Sequence, residues 1–292
     1  MTFCDKVRSG KFIVTSEIGP PKGIDVNEML QDADLVKGKV DAVNVTDLQN
    51  SVLKLGSLAV CRLFKNRGIE PIMQITCRDR NRLALQSDLL SAAVLGIENL
   101  LVLTGDYPSA GDHPEAKPVF DLGSIELLDV IKALQAGRDM KGNPLKGTPK
   151  FCVGAVVNPG ADPLEPEIIK MEKKIESGAQ FFQTQAVYDI ELFKRFLDAS
   201  KHLETVIIAG VVLLKSSSMA RFMNKNVAGI FVPEDIIKEM DGADDKSAKS
   251  IEIAARLINR LKPLCRGVHI MPIGWDRKVP LVLDAAGLVP SY

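Results

Sequence analysis

The sequence has few histidine, cysteine and aromatic residues, and each shortage excludes a class of protein. Only three histidines and five cysteines occur among 292 residues, and aromatic residues make up 5%. The cysteines are scattered, odd in number and contain no Cys-x-x-Cys pair: Cys4, Cys61, Cys77, Cys152 and Cys265. This pattern argues against a disulfide framework and against a zinc site, and it favours a reduced, cytoplasmic protein.

Long apolar runs and an excess of one charge are also lacking. No apolar run reaches the length of about 18 residues that a membrane helix needs, and the first residues, MTFCDKVRSGK, lack the apolar core of a signal peptide. Lys plus Arg and Asp plus Glu both number 37, so charge provides no case for nucleic acid or an anionic membrane. Because 46% of residues are apolar and no linker divides the chain, we predict one domain over residues 1–292.

Eight short apolar segments alternate with helical segments. The apolar segments are rich in Val, Ile and Phe at nearly every position, as in strands that are buried on both faces of a parallel sheet. The predicted strands are 12–18, 41–46, 71–76, 99–104, 151–157, 180–185, 205–211 and 267–273, and the predicted helices are 81–95, 124–135, 165–176, 189–200 and 247–261. This alternation predicts a single (β/α)8 TIM barrel, with a doubly wound open sheet as the alternative.

Two local features accompany these elements. Asp79 is predicted to cap the start of helix 81–95, and Gly96 is predicted to end it. The segment 241–249, DGADDKSAK, is predicted to be solvated surface ahead of the last helix.

Polar residues follow most of the predicted strands, at the end of the barrel where TIM-barrel active sites lie. They comprise two isolated acids, several amides and small turns, and His269 is expected inside the eighth strand and not at the mouth. The set lacks the clusters that metal ions need, the histidine of a Ser-His-Asp triad, and a barrel lysine for Schiff-base chemistry. The amides are Gln74, Asn158, Gln183 and Gln185. Since an amide offers a donor and an acceptor in one plane, these residues predict a site for a flat heterocyclic ring.

Glu17 ends the first strand in the segment TSEIGPPKG. Its neighbours Ile18, Pro20 and Pro21 provide a rigid, apolar setting in which a carboxyl group can act as a general acid. A solvated glutamate at a strand end is the alternative. Asp106 follows Gly105, whose lack of a side chain lets the backbone approach a ligand closely, and an ordinary Asx turn is the alternative there.

Six motifs, taken in order, resemble the methylenetetrahydrofolate reductase family: TSEIGPPKG, VNVTD, QITCRDRN, LGIENLLVLTGDYP, AKPVFDLGSIELL and GAQFFQTQAVYD. They extend over nearly the whole chain. The resemblance implies a TIM-barrel oxidoreductase with a non-covalently bound flavin, generally FAD. It implies reduction of 5,10-methylenetetrahydrofolate to 5-methyltetrahydrofolate, in one-carbon metabolism and methionine biosynthesis, by an oligomeric protein in the cytoplasm.

The resemblance also implies roles for individual residues. Glu17 is the implied general acid, which protonates N10 of the folate so that the ring opens to a 5-iminium cation, and N5 of the reduced flavin then delivers a hydride. Asp106 is implied to stabilise that cation, and Gln185 to bind the pterin. The implied flavin-binding residues are Thr46, Gln74, Thr104, Gly105, Asp106, Asn158, Glu167 and Lys174. Glu167 and Lys174 lie two helical turns apart and so can share a helix face, with an ordinary surface helix as the alternative.

The sequence departs from the family pattern at several positions. Gln74 stands where many members have His, Thr104 where several bacterial members have Arg, and the fifth strand lacks a Tyr near Gly154, so FMN stays open beside FAD. After the seventh strand, Leu214 and Lys215 replace the Phe that stacks on nicotinamide in NADH-using members. Two hypotheses follow: NADH or NADPH reduces the flavin directly, or a second, electron-transferring subunit does. A flavin-free TIM-barrel lyase or pterin-binding methyltransferase is a third possibility.

Overall fold

A computed structural model describes residues 1–288 and shows a closed barrel of eight parallel strands. The strands are β1 (Ile13–Ile18), β2 (Ala42–Val45), β3 (Pro71–Thr76), β4 (Asn99–Leu103), β5 (Cys152–Val157), β6 (Phe181–Ala186), β7 (Val206–Val212) and β8 (Gly267–Met271). Each strand pairs with the next, and β8 pairs with β1, which closes the barrel. The predicted TIM barrel is confirmed and the open sheet is wrong. The single domain stays a prediction, and its residues 289–292 lie outside the described part of the chain.

Helices surround the barrel and close its lower end. They are α1 (Phe3–Ser9), α2 (Asn27–Val36), α3 (Ser57–Asn66), α4 (Arg82–Val94), α5 (Ser124–Gln135), α6 (Glu165–Glu176), α7 (Ile190–Ser200), α8 (Ser217–Asn226), α9 (Glu234–Gly242), α10 (Lys246–Leu261) and α11 (Val279–Ala285). All five predicted helices occur, as α4, α5, α6, α7 and α10. The other six were not predicted, and each has only 7 to 10 residues, too few to show a clear helical period. Among residues 1–288 no helix has the length and apolar character of a membrane span.

One local prediction about a helix start is wrong. Asn81, not Asp79, caps α4, because its side chain accepts hydrogen bonds from the backbone N–H groups of Leu83 and Ala84. The prediction of solvated surface at 241–249 is confirmed, because none of these residues is buried; the segment contains the end of α9 and the start of α10, where Asp245 caps α10 by accepting from the N–H of Ala248.

The first halves of the strands fill the lower barrel with apolar side chains. Helix α1 closes this end, and the ring of Phe3 meets the ring of Phe181 edge-on at 5.4 Å between centroids. The cluster consists of Phe3, Val7, Ile13, Ala42, Ile72, Leu101, Cys152, Phe181 and Ile208. Because this end is packed and plugged, polar chemistry inside the barrel is confined to the carboxyl-terminal half of the strands.

Gly154 allows this packing. A Cβ atom on Gly154 would lie 2.3 Å from the ring of Phe181, which is fully buried and rests against Phe3. We expect Gly154→Ala to lower the free energy of unfolding by roughly 2 kcal/mol, since overpacking forces the ring and α1 to shift. Urea unfolding measures this change. Gly242→Ala is the control, because an added Cβ there meets nothing within 4 Å, and equal effects of the two substitutions would contradict the prediction.

Candidate active site

The carboxyl group of Glu17 lies in the upper barrel among nitrogen donors. Glu17 is on β1 and only 9% exposed. The side-chain amide of Gln74 donates to its Oε2 at 3.3 Å, and the amide of Gln49 donates to its Oε1 at 3.2 Å. Nε2 of His269 lies 3.8 Å from Oε2. The carboxyl group is therefore held in a shielded place, and the alternative of a solvated strand end does not fit.

His269 lies inside β8, as predicted, but its closeness to Glu17 was not predicted. His269 is buried on β8, where the register of the closed barrel sets it beside Thr15 of β1. Its Nδ1 lies 2.9 Å from the Thr15 hydroxyl, and Glu17 follows two residues later on the same face of β1. The sequence could have predicted this contact, because a closed barrel pairs its last strand, which contains His269, with its first strand, which contains Glu17.

A buried amide pair lies beneath this group. Asn44 donates to Oε1 of Gln183 at 2.6 Å, and Gln183 donates back to Oδ1 of Asn44 at 3.1 Å. The second N–H of Gln183 donates to the Thr15 hydroxyl at 3.3 Å. Thr15 therefore joins the amide pair to His269 through the 2.9 Å contact between its hydroxyl and Nδ1. The side chain of Gln183 thus forms its hydrogen bonds within the protein and is not free to bind a ligand, contrary to the prediction. Its partner Asn44 was not predicted.

Asp106, the second predicted acid, lies at the exposed rim after β4. Its backbone carbonyl accepts hydrogen bonds from Arg78 at 3.2 Å and from Ser51 at 3.0 Å. Within the described residues its carboxylate forms no hydrogen bond or ion pair, so none joins it to Glu17. The backbone is fixed while the charge stays available to a ligand.

The implied flavin positions within β3 and after β2 and β4 occupy one sector of the mouth, because these strands are neighbours. Thr46 and Gln74 are buried, and Thr104 is exposed. Gly105 adopts a left-handed φ of 91°, and a Cβ there would lie 3.1 Å from Cβ of Arg78. The sector thus combines the hydroxyls of Thr46 and Thr104 with the amide of Gln74, a set of donors and acceptors that fits the polar edges of a flat ring.

Glu167 and Lys174 share a face of α6, as predicted, but both are engaged with the end of β5. Glu167 accepts a hydrogen bond from the N–H of Asn158 at 2.9 Å, and Lys174 donates to the carbonyl of Val156 at 2.7 Å. Burial lowers the pKa of Lys174, and the charge of Glu167 opposes that shift. The Asn158 side chain bonds neighbouring backbone as well. As flavin ligands these three residues stay predictions.

Gln185 lies exposed at the end of β6. Its backbone carbonyl accepts from the Thr184 hydroxyl at 2.7 Å, whereas its side-chain amide has no partner within the described residues. Unlike Gln183, it is free to bind a ligand.

A further acid near Glu17, Asp276, follows β8 and was not predicted. Burial raises the pKa of Asp276 to about 6, with further contributions from the charges of Asp32 and Glu17, while the charge of Lys215 opposes them. Nζ of Lys215 lies 5.7 Å from the centroid of the Trp275 ring. The Trp275 ring is half-buried beneath this charge.

The geometry suits acid–base chemistry on a planar ligand, and residues 1–288 contain no group of three or more His, Cys, Asp or Glu side chains placed to hold a metal ion.

The family model for methylenetetrahydrofolate reductase matches residues 2–287. Methylenetetrahydrofolate reductase 2 of Schizosaccharomyces pombe is 25% identical over 98% of this chain, which spans about half (47%) of that protein. The 5,10-methylenetetrahydrofolate reductase of Pectobacterium carotovorum is 25% identical over 88% of this chain and 83% of its own length.

A solved structure has the same fold. It is an uncharacterized protein from Clostridium thermocellum that binds two copies of 5-methyl-5,6,7,8-tetrahydrofolic acid. The TM-score is 0.64 and the identity 18%, and the match covers 97% of this chain and 96% of that one.

The raised pKa of Asp276 predicts a pH-dependent stability. The usual value is 3.8, so between about pH 4 and about pH 6 the native protein holds a proton that the unfolded chain has lost, and the free energy of unfolding falls as the pH rises. Asp276→Asn removes this contribution. We therefore expect the variant to gain on the order of 1–2 kcal/mol over the wild type between about pH 4 and about pH 7.

Urea unfolding at a series of pH values measures this gain. Asp284→Asn, on the exposed face of α11, is the control. A difference between Asp276→Asn and the wild type that does not change with pH would contradict the prediction.

Proposed function

The chain belongs to the methylenetetrahydrofolate reductase family, and on that premise we propose that it reduces 5,10-methylenetetrahydrofolate to 5-methyltetrahydrofolate with a bound flavin, with Glu17 as the general acid. The observation that carries the proposal is the position of Glu17, 9% exposed at the mouth of the barrel and held by amide donors. The name of the Pectobacterium carotovorum relative and the methyl-folate bound by the Clostridium thermocellum protein support a folate substrate.

The proton transfer starts at Glu17. Its carboxyl proton passes to N10 of the folate, the bond between N10 and the bridging methylene carbon breaks, and a 5-iminium cation forms. Gln74 and Gln49 suit this step because an amide can donate to a carboxylate and can also accept from a carboxylic acid. Glu17 therefore keeps hydrogen-bonding partners before and after the transfer, and the reaction needs little reorganisation of the site.

The cation needs a negative charge nearby. The Asp106 carboxylate has no partner within the described residues, and its backbone is fixed by Arg78 and Ser51, so it can act as a preorganised counter-charge. The free amide of Gln185 on β6 is suited to bind the polar edge of the pterin and to set its orientation.

The flavin, FAD or FMN, would be held by Thr46, Gln74, Thr104 and Gly105 at the ends of β2, β3 and β4, with Asn158, Glu167 and Lys174 as further predicted contacts. When bound and reduced, it supplies the hydride that the methylene carbon accepts. The remaining contributions come from the chain: Glu17 provides the proton, Asp106 the charge and Gln185 the orientation.

Glu17→Gln tests the proposal most simply. The substitution keeps the shape of the side chain but removes its acidic proton, and one neighbouring amide, that of Gln49 or Gln74, turns its oxygen toward the new N–H donor. We expect the single-turnover rate of reoxidation of the reduced protein by methylenetetrahydrofolate to fall at least about 100-fold, while flavin uptake and flavin reduction stay nearly unchanged. Stopped-flow absorbance under anaerobic conditions measures both half-reactions.

Glu204→Gln, at an exposed glutamate in the segment before β7, is the matched control for that experiment. Equal losses in both half-reactions of Glu17→Gln would mean that Glu17 has a structural role. A purified chain that takes up no flavin would contradict the proposal and favour a flavin-free barrel enzyme.

A second candidate concerns the electron donor. The segment after β7 offers buried Leu213 and Leu214 and then Lys215, with no aromatic side chain to stack on nicotinamide. This observation favours a protein partner as the donor over NADH or NADPH.

An anaerobic titration separates the two donors. If a partner subunit supplies the electrons, a low-potential dye bleaches the flavin absorbance of the isolated chain, whereas NADH and NADPH bleach it slowly or not at all. The dye-reduced protein should still convert methylenetetrahydrofolate. Rapid bleaching by NADH would contradict the partner-fed form and support direct use of NADH.

A further inference from the structure

Arg78 lies where three loops of the barrel mouth meet, and its role is not explained by ligand binding. Its side chain is only 2% exposed. The guanidinium donates to the carbonyls of Leu48 and Asp106, each at 3.2 Å, and to the Ser51 hydroxyl at 3.0 Å. Two further bonds go to the carboxylate of Asp79, at 2.9 and 2.7 Å. This paired geometry satisfies the charge of Arg78 inside the protein, so the residue is neither exposed nor free to bind an anion.

The loop after β2 is a turn that needs such support. Leu48, Asn50 and Ser51 have φ angles of 48°, 55° and 57°, in the left-handed region that side chains other than glycine rarely adopt. Residues in this region persist where surrounding contacts hold them. Arg78 contacts both ends of the turn, through the carbonyl of Leu48 and the hydroxyl of Ser51.

The same turn carries a contact to the general acid. Gln49 lies between the two positions that Arg78 holds, and its amide donates to Oε1 of Glu17 at 3.2 Å. Gln49 is itself exposed at the mouth, so little besides the turn fixes its position.

The turn is also joined to the loop that carries the second acid. The Ser51 hydroxyl lies 3.0 Å from the carbonyl oxygens of both Asp106 and Tyr107, and Arg78 bonds the carbonyl of Asp106 directly. A single guanidinium thus connects the surroundings of Glu17 with the backbone of Asp106, although no hydrogen bond joins the two acids themselves within the described residues.

We propose that Arg78 is a positioning residue for both acids: it holds the 48–51 turn against the loop after β4, which keeps Gln49 on Glu17 and Asp106 in place at the mouth. The structural part of this inference stands on the contacts alone, and its catalytic consequence rests on the proposed function. The test therefore has one arm without any ligand and one arm with substrate.

The first arm is hydrogen exchange of the ligand-free chain, followed by mass spectrometry. The backbone N–H groups of Ser51, Val52 and Gly111 are bonded within the two loops. We expect these amides to exchange at least about tenfold faster in Arg78→Ala, with a smaller change in Arg78→Lys, while exchange in the barrel strands stays unchanged.

Two control variants accompany Arg78→Ala. Arg67→Ala removes an arginine that pairs with Asp34 on the exposed outside. Val60→Ala removes buried packing on α3, so it lowers the melting temperature without touching the two loops. If the loop amides exchange no faster in Arg78→Ala than in these two controls, the proposal is overturned. If Arg78→Ala does not fold, Arg78→Lys decides the same comparison.

The second arm uses the flavin-loaded, dye-reduced protein. We expect reoxidation by methylenetetrahydrofolate to slow by about 10- to 100-fold in Arg78→Ala while reduction by the dye changes less than about twofold. Low concentrations of guanidinium should restore part of the rate in Arg78→Ala and none in Val60→Ala. An equal loss in Val60→Ala, or no loss in Arg78→Ala, would overturn the catalytic consequence.

A wild-type chain that takes up no flavin would instead contradict the proposed function, and the exchange arm would still decide whether Arg78 holds the loops.

Discussion

A carboxyl group inside a closed barrel needs hydrogen-bonding partners, and each partner that is buried with it needs further hydrogen-bonding partners. The arrangement of the site follows from this requirement. Glu17 is supported by Gln74 and approached by His269, whose ring is oriented by Thr15. Thr15 in turn is bonded by Gln183. Because a buried polar group without a partner is destabilising, this connected layer is retained or lost largely as a unit. The layer therefore sets where Glu17 points.

The lower half of the barrel contributes stability, and the upper half contains the candidate site. The lower half is apolar and closed by α1 through the contact of Phe3 with Phe181, and it supplies stability. The upper half holds the polar layer and ends in loops whose carbonyls, amides and acids face the mouth. Arg78 extends this order outward, since it ties the strained turn after β2 to the loop that carries Asp106. Glu17 is thus held by the polar layer of the barrel, and the backbone of Asp106 is held by Arg78 and Ser51.

Much of the fold was predictable from the sequence, because strands buried on both faces are apolar throughout, and the predicted strands match the observed ones to within two residues at either end. The six short helices were not, since their sequences are too brief to show a period. In the site, the positions of Glu17 and Gln74 near strand ends were predictable, and their roles stay predictions. The contacts of Gln49 and His269 with Glu17 were not, because they depend on loop conformation and on how β8 closes against β1.

If Glu17 gives its proton to the folate, the two groups must meet in the bound state. A crystal structure of the flavin-loaded chain with 5-methyltetrahydrofolate shows whether they do. We expect N10 of the folate within hydrogen-bond reach of the Glu17 carboxyl group, about 3 Å away or through one water, with the pterin edge on Gln185. A folate bound with N10 turned away from Glu17, or bound outside the barrel mouth, would contradict it.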